Sequence, residues 1–272
     1  MRPSDHRGDR YGFPGADPRA DGGDAPRSYR RDARTQCDPD LVTTAEVIAE
    51  GVRAARPADI PARLCRAAVT LLPVVGASVS LRSAGMSLPL GASSRQAAHL
   101  AEIQTTLGDG PFRYAAQVAA PVLASDLTAG RDVRRWPVFA QQATAAGAGA
   151  VYSMPLGDDV VTVGTLDLYR ATPGEPTEQE LRRALLLAGV MTRALMVLPR
   201  QEDERIGAEP WLGGLAEDHD KVHQAIGVIM AQLGVDADEA GARLRGHAFA
   251  QGRTAIEVAR DVVARRERPD DG

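Results

Sequence analysis

The stretch Ala77-Ser78-Val79-Ser80-Leu81-Arg82, continued through Ser83–Gly85 into Met86–Leu90, decides the fold class. Ala77, Val79 and Leu81 alternate with Ser78, Ser80 and Arg82. That period of two is the mark of a strand with one buried face. Ser83–Gly85 reads as a turn and Met86–Leu90 as the antiparallel partner. Working outward, Ala45, Ile48, Ala49 and Val52 share a helical face from Thr44 on. Leu64, Ala67, Ala68, Leu71 and Leu72 give a second helix over Ile60–Leu72, closed by Pro73. Downstream, helices are expected at Arg95–Thr105, Phe112–Gln117 and Asp132–Ala146, and a short strand at Pro121–Ala124. Strands at Val151–Leu156 and Val160–Tyr169 flank the turn Gly157-Asp158-Asp159. A helix over Glu178–Val197 is opened by the capping box Thr177/Glu180. Strands joined by short turns and accompanied by helices make an α+β domain with an antiparallel sheet.

The apolar period changes after Leu198. Residues 199–214 are polar and hold Pro199, Gly207, Pro210, Gly213 and Gly214, the composition of a linker. Val222, Ile226, Ile229 and Leu233 then form a heptad-like stripe on a helix over Leu215–Leu233 with Gly234 as its cap. Asp236/Glu239 and Thr254/Glu257 open two further helices, about Ala237–Ala250 and Ala255–Arg266. Short connections and matched caps make a three-helix bundle. The expected organisation is a disordered tail over 1–43, a sensor domain over 44–198, a linker over 199–214, a helical domain over 215–267 and a tail over 268–272. The first segment is read as disordered because residues 1–40 carry eight Arg against eight Asp and little that can be buried.

Composition excludes several classes. The 272 residues have a net charge of −4, which does not mark the whole chain as a nucleic-acid binder. Two cysteines, Cys37 and Cys65, give neither a disulfide framework nor a thiolate metal site. The N-terminal MRPSDHRGDRYG has no apolar core of a signal peptide, and Leu185–Leu198 is too short and polar to span a bilayer, so a cytoplasmic protein is expected. Phosphate-binding, zinc-protease, serine-hydrolase, dinucleotide and kinase motifs are absent, and the chain is read as a non-enzyme. His219 and His223 are four apart, but among Glu217, Asp218 and Asp220 a solvated helix start is preferred over a metal site. His99 is the one candidate haem ligand, and an ordinary helix histidine is preferred; no cofactor is assigned.

Two stretches resemble known families. LGDGPFRYAAQ…APVLASDL (107–127), RRWPVFAQQATAAG (134–147), SMPL (153–156) and VGTLDLYRATPGEPTEQEL (163–181) resemble a GAF domain. VHQAIGVIMAQLGVDADEAGARLRGHAFAQGRTAIEVARDVV (222–263) resembles the ANTAR domain. The resemblance implies a signal-responsive regulator of transcription antitermination. Such a protein binds RNA hairpin loops in nascent transcripts as a homodimer and senses a small molecule or partner through its GAF-like domain. Phe112 stands where related sensors often carry cysteine, and Ile226 where many ANTAR domains carry lysine.

The candidate sites follow. Residues 243–268 carry seven Arg against three acids, while 211–239 carry one Lys against six acids, so the bundle is electrically polarised. A basic face supplies phosphate attraction, and an aromatic beside it can stack on an unpaired base. Arg245, Phe249 and Arg253 are the expected RNA contacts, with Arg243 and Arg260 as outer phosphate contacts. Asp109, Phe112 and Trp136 are the expected lining of a ligand pocket. Two other readings stand beside this one: a GAF sensor whose helical tail serves dimerisation or protein contact only, and a haem-binding redox or gas sensor.

Overall fold

The computed structural model describes residues 39–56, 59–83, 86–158, 161–197 and 210–264. Residues 1–38 of the expected N-terminal tail, the C-terminal tail, most of the linker and the turn residues 84–85 and 159–160 lie outside them, while residues 39–43 of that tail are helical. Two helices, α1 (Pro39–Val52) and α2 (Ile60–Leu71), precede the hairpin β1 (Gly76–Ser83) and β2 (Met86–Ala92). Then come α3 (Arg95–Leu107), α4 (Pro111–Val118), β3 (Val122–Ala124), α5 (Gly130–Arg135) and α6 (Pro137–Ala145). Strands β4 (Ala150–Gly157) and β5 (Thr162–Arg170) and helix α7 (Glu178–Val197) complete the α+β part. The C-terminal helices are α8 (Pro210–Leu233), α9 (Ala237–Ala250) and α10 (Ala255–Val263).

All four pairings in the five-stranded sheet are antiparallel, in the order β2-β1-β5-β4-β3. The expected fold class is what the structure shows: an antiparallel α+β domain followed by an all-α three-helix bundle. Capping explains the helix starts. Thr177 and Glu180 exchange hydrogen bonds of 2.8 and 3.2 Å across each other's backbone. Thr254 and Glu257 form the same reciprocal box, and Asp236 accepts from the Glu239 amide. Each such cap satisfies orphan N–H groups of a first helical turn.

Five details differ from the expectation. Among the described residues, helix α1 extends back to Pro39, ahead of the expected Thr44, and α8 to Pro210, ahead of Leu215. The single helix expected over Asp132–Ala146 is two, α5 and α6. Trp136 leaves helical geometry at φ −132°, ψ 65°, because the residue before Pro137 is sterically driven out of it. The described part of the last helix ends at Val263, with Ala264 as its cap. Finally, the β1 strand has two buried faces. Ser78 and Ser80 are as inaccessible as Ala77 and Val79.

One side of the sheet packs Val79, Met154, Leu156, Leu166 and Leu168 against α2 and α7, through Leu64, Ala68, Leu187 and Met191. The other side lies under α3 and α4. From Asp38 onward the chain is one compact unit, so the bundle is packed on the α+β domain. Met86 and Leu88 of β2 belong to the same apolar cluster as Val222, Ile226 and Ile229 of α8, Leu244 of α9 and Val258 of α10.

Candidate functional site

The bundle's core is built from the stripe read in α8. Val222, Ile226 and Ile229 are fully buried against α9, α10 and β2 of the same chain. These three positions of the stripe are therefore satisfied internally, and Leu233 is partly buried. Ile226, where many ANTAR domains carry lysine, is part of this core.

The five expected RNA contacts fall into two groups. Arg245 and Phe249, four apart on α9, share one face. The Arg245 side chain lies across Gly108, where no Cβ fits beside its Nε. Burial, and then the nearby charge of Arg113, hold its guanidinium below the ordinary arginine range, opposed by Asp238. Phe249 is 51% exposed, whereas Leu244, Ile256, Val258 and Val262 are buried. Its ring stands at the rim of a groove of about 400 Å³ formed with His99, Thr106, Gln142, Arg253 and Thr254. Arg253 is ion-paired with Asp261 and donates to Gln251 at 3.1 Å. Arg245, Phe249 and Arg253 thus gather along the seam between bundle and α3. Arg243, two residues from Arg245 and so roughly opposite it on the helix, bonds to Glu239 at 2.9 Å. Arg260 is exposed on α10. The seam itself is pinned where the Ala255 amide, an N-terminal orphan of α10, donates to Thr106 Oγ1 at 3.0 Å.

The three expected ligand residues are not brought to one pocket. Trp136 is buried in a cluster with Phe139, Leu100 and Leu127 and acts as packing. Its ring and that of Tyr114 sandwich the Arg135 guanidinium, at 4.6 and 3.9 Å. Asp109 is exposed on the loop between α3 and α4. Gly108 at φ +61° and Gly110 at φ +138° set that loop's shape, conformations that L side chains disfavour. Phe112 alone of the three lines a cleft, together with Arg82, Arg113 and Arg245. His99 is on the surface, its side chain 58% exposed and 4.0 Å from Glu102, which is no setting for a buried haem ligand. His219 lies outside the described side chains, and among the described residues no group of three or more His, Cys, Asp or Glu is placed to hold a metal.

The polar side of the sheet was missed by sequence reasoning. Asp167 on β5 is fully buried and accepts from Ser153 and, at 3.2 Å, from Thr165. Desolvation raises its pKa to about 6, although hydrogen bonds from Ser153, Thr165 and Gln104 oppose the shift. Tyr169 shares a hydrogen bond of 2.7 Å with Ser78 and accepts from Gln104 Nε2 at 3.2 Å. Gln104 Oε1 has no partner among the described residues. Cys65, on the opposite side of the sheet, is buried, and desolvation pushes its thiol well above the usual range, so it is inert packing. The signal was present as polar residues at every second position of β1 and β5. Read alone, they look solvated.

Comparison with known proteins adds the following. No curated protein matches the chain. Solved structures of similar shape include the GAF domain of an Acinetobacter phosphoenolpyruvate-protein phosphotransferase, with TM-score 0.44 and 11% identity over 58% of this chain and 93% of that one. The GAF domain of the Coxiella burnetii phosphotransferase has TM-score 0.46 and 12% identity over 58% and 92%. A free methionine-R-sulfoxide reductase from Neisseria meningitidis has TM-score 0.43 and 11% identity over 58% and 88%. Among the described residues no helix is long and apolar enough to cross a membrane. The family model of the ANTAR domain matches residues 215–263, which run from within α8 to the end of α10. Residues 215–263 are thus similar to the ANTAR domain, and they follow an antiparallel α+β domain.

Proposed function

We propose that the chain is a signal-responsive RNA-binding regulator of transcription antitermination. Its ANTAR bundle binds hairpin loops in nascent transcripts, and its α+β domain, in the role of a GAF-like sensor of a small molecule or partner, governs when it does so. The observation that carries this reading is the half-exposed Phe249 ring in one groove with Arg253, one helical turn from Arg245, in a bundle whose other large apolar side chains on α9 and α10 face inward. An exposed aromatic beside a guanidinium group suits an unstacked base. Because the same three side chains run along the seam with α3, an effector that favours one packing of bundle on domain alters access to RNA. It does so only to the extent that it binds the two arrangements with different affinity. A homodimer, which the family resemblance implies, would use surfaces other than the buried Val222, Ile226 and Ile229 of α8.

Phe249→Ala tests the reading. Loss of a stacking platform should weaken hairpin binding by about 1–3 kcal/mol, roughly 5- to 150-fold, with little change in melting temperature. Full affinity in the variant would remove Phe249 from the interface. A large loss of stability with unchanged binding by the folded fraction would make it packing instead.

A further inference from the structure

We propose that the cleft between the α+β domain and helix α9 is a binding site for a small organic anion bearing a carboxylate or phosphate group. The cleft encloses about 330 Å³, within the range of small-ligand sites. Its basic walls come from three separate elements: Arg82 of β1, Arg113 of α4 and Arg245 of α9. Asp238 is the one acidic residue among those lining it, so the lining carries an excess of two positive charges. Phe112, Met86, Ala116 and Ala242 supply apolar surface for the body of such a molecule.

Arg113 is held by a hydrogen bond of 2.7 Å from its Nη1 to the Gly108 carbonyl. Arg245 is drawn over the same glycine. Two guanidinium groups converge on one turn of backbone, one of them half-buried, and their repulsion is what an anion between them would offset. A planar guanidinium pair suits the two oxygens of a carboxylate or phosphate better than a point charge does. Since the walls belong to both halves of the molecule, a bound anion ties the bundle to the domain and stabilises that packing in proportion to occupancy.

The test uses the full chain and needs no RNA, so its outcome is independent of the RNA-binding reading. Melting temperature is followed against inorganic phosphate, succinate and citrate, each against chloride at matched ionic strength. A saturable rise of about 3–6 °C at ten times the Kd is expected from phosphate or from the carboxylates, and the arm that responds assigns the group. The rise should disappear in Arg113→Gln and persist in Arg193→Gln, an exposed arginine of α7 remote from the cleft. No saturable rise with any of the three anions, or the same rise in Arg113→Gln, overturns the proposal.

Discussion

The two sides of the central sheet differ in what their strands contribute. Toward α2 and α7, β1, β4 and β5 present Val79, Met154, Leu156, Leu166 and Leu168, and the layer is held by excluded water and volume. Toward α3 and α4 the same strands present Ser78, Ser80, Ser153, Thr165, Asp167 and Tyr169, all buried. There directed hydrogen bonds are added to an apolar cluster that includes Leu100, Phe139, Val151 and Tyr169, and the layer carries a carboxyl group that burial makes reluctant to ionise. The first side tolerates only changes that keep its volume. The second is sensitive to charge, because a partly satisfied polar network in a low-dielectric interior is where small electrostatic changes weigh most.

The largest effect that would break this contrast belongs to the apolar side. Leu168→Ala should destabilise the protein by about 2–5 kcal/mol in chemical denaturation, through lost transfer energy and a residual cavity. A cost under about 1 kcal/mol would mean that this layer is not the main source of cohesion.

A somewhat smaller effect tests the polar side. Asp167 binds its proton more tightly folded than unfolded, so its contribution to stability is complete below about pH 4 and is lost as pH rises through about 6. Above that the folded state holds a buried charge, a penalty on the order of 2–3 kcal/mol. Asp167→Asn removes the charge and keeps an acceptor for Ser153. Stability near pH 7.5 should rise, and the decline between pH 4 and 7 should flatten. An unchanged pH profile would show that another group sets it.

The smallest effect extends the contrast to the seam. Thr106→Val leaves the Ala255 amide without its acceptor, at a cost of about 1 kcal/mol. Hydrogen exchange should quicken in α10 and leave β4 and β5 unchanged. Equal acceleration throughout would mean that the seam and the sheet open as one.

Much of this architecture was legible in the residues. Period-two alternation located β1, and Thr177/Glu180, Asp236/Glu239 and Thr254/Glu257 marked three helix starts, because caps are local chemistry. The break at Trp136 was written in Pro137 but hidden by apolar residues that continue on either side. The second buried face of β1 was not legible, because serine is equally at home in water and in a hydrogen-bonded interior. The α8 stripe announced burial without naming its partner, and Met86 and Leu88 look like an ordinary hairpin strand until α8 is seen against them. For the same reason Arg82 and Arg113 went unnoticed beside Arg245: only the folded chain brings them to one cleft.

That cover over β2 bears on how the protein comes into being. Met86 and Leu88 leave the ribosome long before α8 is synthesised, and until then two side chains that end up only 3% and 1% accessible lack the cover that α8 provides. The early part of the chain waits with a sticky strip at the rim of its sheet, the kind of surface on which nascent chains associate wrongly. The C-terminal bundle thereby also serves as the late-arriving lid of the domain that precedes it, and a message cut short before Pro210 yields a sheet whose β2 strand lacks that cover.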